Sequence, residues 1–282
     1  MTRNTSRTQA QPVAQPTVVP APVQSHGVTF TVPTEIVHLS TGGQFYPENS
    51  SLHGKESIEI KYMTAKEEDI LTSPSLLKEG KTIDRLLESV MVDKTINVED
   101  FLVADRNALL VACRVTGFGS KMPTNISCTH CGGLNEVEFD LTEMETETLL
   151  EDGSSLGVAR EGPFYSFELP ISKVHITIRP LFVSDEKYLE KLQVQQDKLN
   201  LPQTRLTDSL RQIIVSVNGD VNESTKNNFI DVMPAQDSRH IRNIYKLVVP
   251  SYVGRKNMTC LHCQRESEVE VPFNTDFFWP GQ

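Results

Sequence analysis

Four of the five cysteines stand in two matched pairs, and they are the residues in this chain best placed to do chemistry. Residues 125–139 read NISCTHCGGLNEVEF and residues 257–271 read NMTCLHCQRESEVEV. Each stretch carries one C-x2-C, Cys128/Cys131 in the first and Cys260/Cys263 in the second. Two intervening residues let a tight turn aim both thiolates at one ion, but a structural zinc site needs four ligands. Each pair is therefore half a site. The economical arrangement brings the two hairpins together as one split zinc ribbon, with one structural Zn2+ per chain. Thiolate ligands and a count of four favour zinc over an iron–sulfur cluster. An odd cysteine total argues against a disulfide framework. His130 and His262 occupy the second intervening position of each turn, where side chains point away from the ion. They are expected to act beside the ligands rather than as ligands. Cys113 has no cysteine counterpart and is read as a core thiol.

The elements that must carry these turns also occur twice. At the offset that superposes the cysteines, Asp105 falls on Asp237. Leu109, Ala112, Cys113 and Thr116 fall on Ile241, Ile244, Tyr245 and Val248, one helical face in each copy. Upstream, IEIK at 58–61 resembles ITIR at 176–179, and AKEEDIL at 65–71 resembles VSDEKYL at 183–189. Further helical runs lie at 83–92 and 206–217. The paired acids Glu67-Glu68 and Asp185-Glu186 suit the first turn of a helix. Gly80 and Gly117 mark helix stops. The Glu-Val-Glu stretches alternate as strands.

The fold class expected is thus α+β, with two tandem pseudo-repeats (strand, helices, Cys hairpin) joined by the split four-Cys ribbon. Residues 1–26, rich in Pro, Gln, Thr and Val, are expected to be a disordered or extended arm. Residues 27–56 form a strand and loop lead-in, 57–141 the first repeat, and 142–172 an acidic linker and strand. Residues 173–273 form the second repeat and 274–282 an aromatic tail. In that tail Phe277, Phe278 and Trp279 either pack on the second repeat or act as a peg into a partner.

Composition narrows the function classes. A net charge of −10 over 282 residues opposes a nucleic-acid-binding surface. No apolar run is long enough to span a membrane, and no apolar signal core opens the chain. No nucleophile–base set, H-E-x-x-H or G-x-S-x-G is present, so no catalytic residue is assigned. The GKT at 80–82 lacks the first glycine of a phosphate loop. Four thiolates close the coordination shell and leave no position for a reactive water.

The order of blocks YMTAKEEDILTSP, ADRNALLVACRVTGFG, CTHC, TIRPLFVSDEK and a second C-x-H-C resembles the baseplate hub and hub-assembly proteins of T-even-type contractile-tailed bacteriophages. The resemblance covers residues 44–273. It implies a non-enzymatic structural or assembly role through contacts with other baseplate and tail hub proteins, and with further copies of the chain itself. It also implies a place in the host cytoplasm during assembly, followed either by a place in the virion tail baseplate or by none, as for an assembly chaperone. The metal rests on the cysteine spacing, not on this resemblance. The competing reading is a zinc-ribbon nucleic-acid-binding regulator, against which stand the acidic Glu-Val-Glu strands.

Overall fold

A computed structural model describes residues 21–25, 28–147, 153–273 and 277–278, among which helices alternate with short antiparallel strands. Residues 1–20 of the expected arm, and Trp279, lie outside the described residues. Residues 21–25 of the arm form β1 (Ala21–Ser25), paired antiparallel with β2 (Val28–Val32). The α+β class holds.

In the first half, β3 (Thr34–His38) pairs with β4 (Ser57–Lys61). Three helices follow: α1 (Ala65–Thr72), α2 (Pro74–Glu79) and α3 (Thr82–Val90). Their ends follow local chemistry. The Glu67 carboxylate turns back to accept the Thr64 N–H at 3.0 Å and the Thr64 hydroxyl at 2.5 Å, which starts α1. Pro74 sits at the first position of α2, where a missing N–H costs nothing. Gly80 ends α2 at φ +66°, a conformation that glycine adopts without strain. A 3-10 turn at Val98–Asp100 leads into α4 (Val103–Phe118) and then the hairpin β5 (Lys121–Ser127) and β6 (Leu134–Asp140). Gly117 does not stop α4, which runs on to a cap at Gly119. A Cβ at Gly117 would lie 3.2 Å from Met63 Sδ, so this glycine makes room for the segment leading into α1.

After β7 (Glu145–Glu147) the second half opens with β8 (Ala159–Glu161), β9 (Phe164–Glu168) and β10 (His175–Ile178). Helices α5 (Val183–Lys198) and α6 (Arg205–Ile213) precede β11 (Ile214–Val217), which completes a sheet of order β11-β10-β9-β8. Then come α7 (Glu223–Val232), α8 (Ala235–Val248), β12 (Ser251–Val253) and the hairpin β13 (Arg255–Thr259) and β14 (Glu266–Glu270).

Several contacts recur in the two halves. Lys61 Nζ lies 3.6 Å from Glu67, and Arg179 meets Asp185 at 2.6 Å. Both carboxylates sit in the first turn of the helix that follows a strand. Asp105 in α4 accepts the Thr41 N–H, the Thr41 hydroxyl and the Tyr46 hydroxyl at 2.9, 2.6 and 2.6 Å. Asp237 in α8 accepts the N–H groups of Ile171 and Ser172, both at 2.9 Å. All four carboxylates are buried, so each needs its donors inside the protein.

One apolar core runs through both halves, from Leu39 and Ile60 through Leu109 and Cys113 to Ile176, Ile241 and Val269. The halves are stitched at several places. β7 pairs with β12, and Leu102 bridges Phe182. Arg106 meets Glu186 at 2.8 Å, and Lys187 reaches both Asp84 and Glu99. Phe277 and Phe278 are buried in the chain itself. Their rings lie against Phe273 and Phe118, so the tail returns to the end of α4 in the first half rather than to the second half alone. Burial within the chain leaves these two rings no exposed face to offer as a peg.

Candidate metal centre

The two hairpins meet at their turns. Cys128 Sγ lies 3.7 Å from Cys263 Sγ, and Cys131 Sγ lies 3.6 Å from Cys260 Sγ. All four sulfurs fall within 4.8 Å of one another. Tetrahedral coordination with metal–sulfur bonds of about 2.3 Å sets sulfurs about 3.8 Å apart, close to the two sulfur contacts across the turns. A disulfide would need about 2.05 Å, far below either contact. The donor set therefore fits one tetrahedral ion with soft ligands.

Both turns use the same backbone device. The Cys128 N–H donates to the Gly133 carbonyl at 2.9 Å, and the Cys260 N–H to the Arg265 carbonyl at 3.0 Å. The residue after the second cysteine has positive φ in each, +73° at Gly132 and +59° at Gln264. Amides face sulfur in each turn: the N–H groups of His130 and His262 lie 3.4 Å from Cys128 Sγ and Cys260 Sγ. The imidazoles do not join the sulfur cage. His262 Nε2 donates to the Leu134 carbonyl at 3.0 Å, while the His130 side chain is exposed.

Charge explains why such a cage wants a cation. The Cys263 N–H, with those of His262 and Asn135 and the Cys131 thiol, holds the Cys260 thiol down to about 6 against the effect of burial. The Gly133 N–H favours the Cys131 thiolate, but burial and the neighbouring thiols push Cys131 up to about 12. Four thiolates this close cannot all ionise by themselves; a divalent ion removes that conflict. Cys113 stands apart, fully buried in α4, its thiol pushed up to about 12 first by burial.

Sequence reasoning missed Asn135. Along β6 the inward positions are Asn135, Val137 and Phe139, and a polar residue in that register was the available signal. Its Nδ2 donates to the Gly133 carbonyl at 2.8 Å and lies 3.6 Å from Cys260 Sγ. Its Oδ1 accepts the Leu261 N–H at 2.8 Å. Gly133 was missed as well. A Cβ there would lie 2.3 Å from His262 Cδ2, so its bareness admits the histidine of the other turn.

The outer faces of both hairpins are acidic, with Glu136, Glu138, Glu268 and Glu270 exposed. Arg255 pairs with Glu147, Glu268 and Glu270, and Lys256 Nζ donates across to the Glu138 carbonyl at 2.6 Å. Among the described residues no helix is long and apolar enough to cross a membrane.

The family described as T4 bacteriophage base plate protein matches residues 45–279. No curated protein and no solved structure matches the chain.

Proposed function

The chain belongs to the T4 bacteriophage base plate protein family, and from that premise we propose that it builds the central hub of a contractile-tail baseplate by protein–protein contact, without catalysis. It works first in the host cytoplasm during assembly and then in the tail, beside other hub proteins and further copies of itself. One structural zinc on Cys128, Cys131, Cys260 and Cys263 staples its two homologous halves.

The family match carries the baseplate role, and the sulfur cage, to which each hairpin gives two donors, carries the staple. A closed four-thiolate shell stabilises a fold and leaves no open position on the ion. When bound, the ion supplies cross-linking of the hairpins, and the chain's own residues do the rest. The amides of His130 and His262 hold sulfur lone pairs in place, while Lys256 ties the strands together. The recurrent Lys61–Glu67 and Arg179–Asp185 pairs support a duplicated unit, as do the buried helix-starting acids Asp105 and Asp237. Zinc ribbons also serve nucleic-acid binding, but exposed glutamates beside this centre would repel phosphates.

The test is genetic and biochemical. Phage with a null allele of this gene should lack assembled baseplates, and the tagged protein should copurify with hub components. Normal tails from the null phage would overturn the reading.

A further inference from the structure

The two Cys turns are related by a constant offset, yet the cage is not buttressed equally from both sides. Asn135 Nδ2 lies 3.6 Å from Cys260 Sγ, and its Oδ1 holds the Leu261 N–H inside the opposite turn. At the same offset Asn135 corresponds to Ser267, whose Oγ is buried without a hydrogen-bond partner. His262 packs over Gly133 and bonds the Leu134 carbonyl. The corresponding pair is His130 and Arg265, where a side chain occupies the position of the bare glycine. Apart from the sulfur–sulfur contacts, these side-chain bonds between the two turns run between the start of β6 and the second turn.

Resting on the metal reading above, we propose that Asn135 is the positioning residue that governs metal retention, by fixing Cys260 and the Leu261 backbone from the opposite hairpin. A thiolate that also accepts an N–H has part of its charge neutralised and its lone pair fixed in direction. The amide of Asn135 supplies this across the junction of the two halves. It thus couples ion binding to docking of the hairpins, which Ser267 is too short to do from the other side. Groups that orient metal ligands typically change metal affinity by about 10- to 100-fold when removed.

The experiment uses the full zinc-loaded chain and the variants Asn135→Ala, Asn135→Asp and Ser267→Ala. Asn135→Asp keeps the shape and an acceptor for Leu261 but loses the N–H toward sulfur and toward the Gly133 carbonyl, and circular dichroism checks that it folds. Competition with a zinc chelator should show about 10- to 100-fold weaker retention in both Asn135 variants and less than about 2-fold change in Ser267→Ala. In cobalt-substituted protein, the sulfur-to-metal charge-transfer band should move to lower energy in the Asn135 variants and stay in place in Ser267→Ala. A purely structural role would lower thermal stability without moving that band. Parental retention and an unmoved band in the Asn135 variants would overturn the proposal, as would equal losses at 135 and 267. If Asn135→Ala fails to fold, Asn135→Asp decides by the same two readouts. A parent chain that holds no zinc overturns the metal reading as well, which separates the two failures.

Discussion

Cys131 Sγ stands 3.6 Å from Cys260 Sγ, although 129 positions of chain separate them. Purified protein should therefore carry about one zinc per chain, measured by elemental analysis. Cys128→Ser and Cys260→Ser, one from each hairpin, should each lose the ion and melt at lower temperature. Metal binding and folding are coupled, so both variants should resemble chelator-treated parent. None or two zincs per chain would break the shared-site arrangement.

Acid should weaken the α1 junction in a defined window. Burial raises the Glu67 carboxyl, but bonds from Ser89 and Thr64, with Lys61 nearby, outweigh it and bring the group to about 2. A depressed carboxyl contributes stability that is present above its unfolded value of about 4.5 and is lost as pH falls toward about 2. The contribution is on the order of 3 kcal/mol. Glu67→Gln should be less stable than parent at neutral pH, and the gap should shrink between pH 4.5 and 2. Denaturant melts across that range decide it; a constant gap would refute the assignment.

The buried acids Asp105 and Asp237 should respond differently to the same change. Of the three donors to Asp105, the Thr41 hydroxyl can rotate to accept from an amide, whereas the Tyr46 hydroxyl already accepts the Leu102 N–H. Both donors to Asp237 are backbone N–H groups, which cannot reverse. Asp237→Asn should cost about 2–3 kcal/mol, and Asp105→Asn less than about 1.5 kcal/mol. Chemical denaturation compares the two, and the opposite order would refute the argument.

Phe277 is almost fully buried against Phe273 and Phe278. Phe277→Ala should destabilise the folded chain by about 3–5 kcal/mol through the lost burial and the cavity. A change under about 1 kcal/mol in calorimetry would mean that the tail is not part of the core.

Gly133→Ala should push His262 off the Leu134 carbonyl, since the added Cβ would lie 2.3 Å from the ring. His262→Ala alone should cost about 1 kcal/mol, the usual worth of one such bond. Once His262 is gone, Gly133→Ala should cost little more. A double-mutant cycle with no coupling would show that the two residues do not meet.

The four cysteines that come together could be named from type and spacing, because a C-x2-C turn encodes its own geometry over a few residues. The helix start at Glu67 was legible for the same reason: capping is local. Gly117 was misread as a stop because its role is to admit Met63, a contact between distant segments. Asn135 and Gly133 were invisible as parts of the centre, since each acts on the opposite hairpin. The tail aromatics posed a choice that pattern could not make, because packing on one's own core and packing on a neighbour use the same residues.

By itself the sequence determined that two half-sites of two thiols each existed, that neither could close a shell alone, and that the surface was acidic. Only the tertiary structure decided that the halves meet, which sulfurs face one another, and that the second turn is held from the first hairpin by Asn135 and His262. The physical reason is range. Ligand type, turn geometry and capping are settled within a few bonds, whereas the distance between two turns depends on how every intervening helix packs into one core.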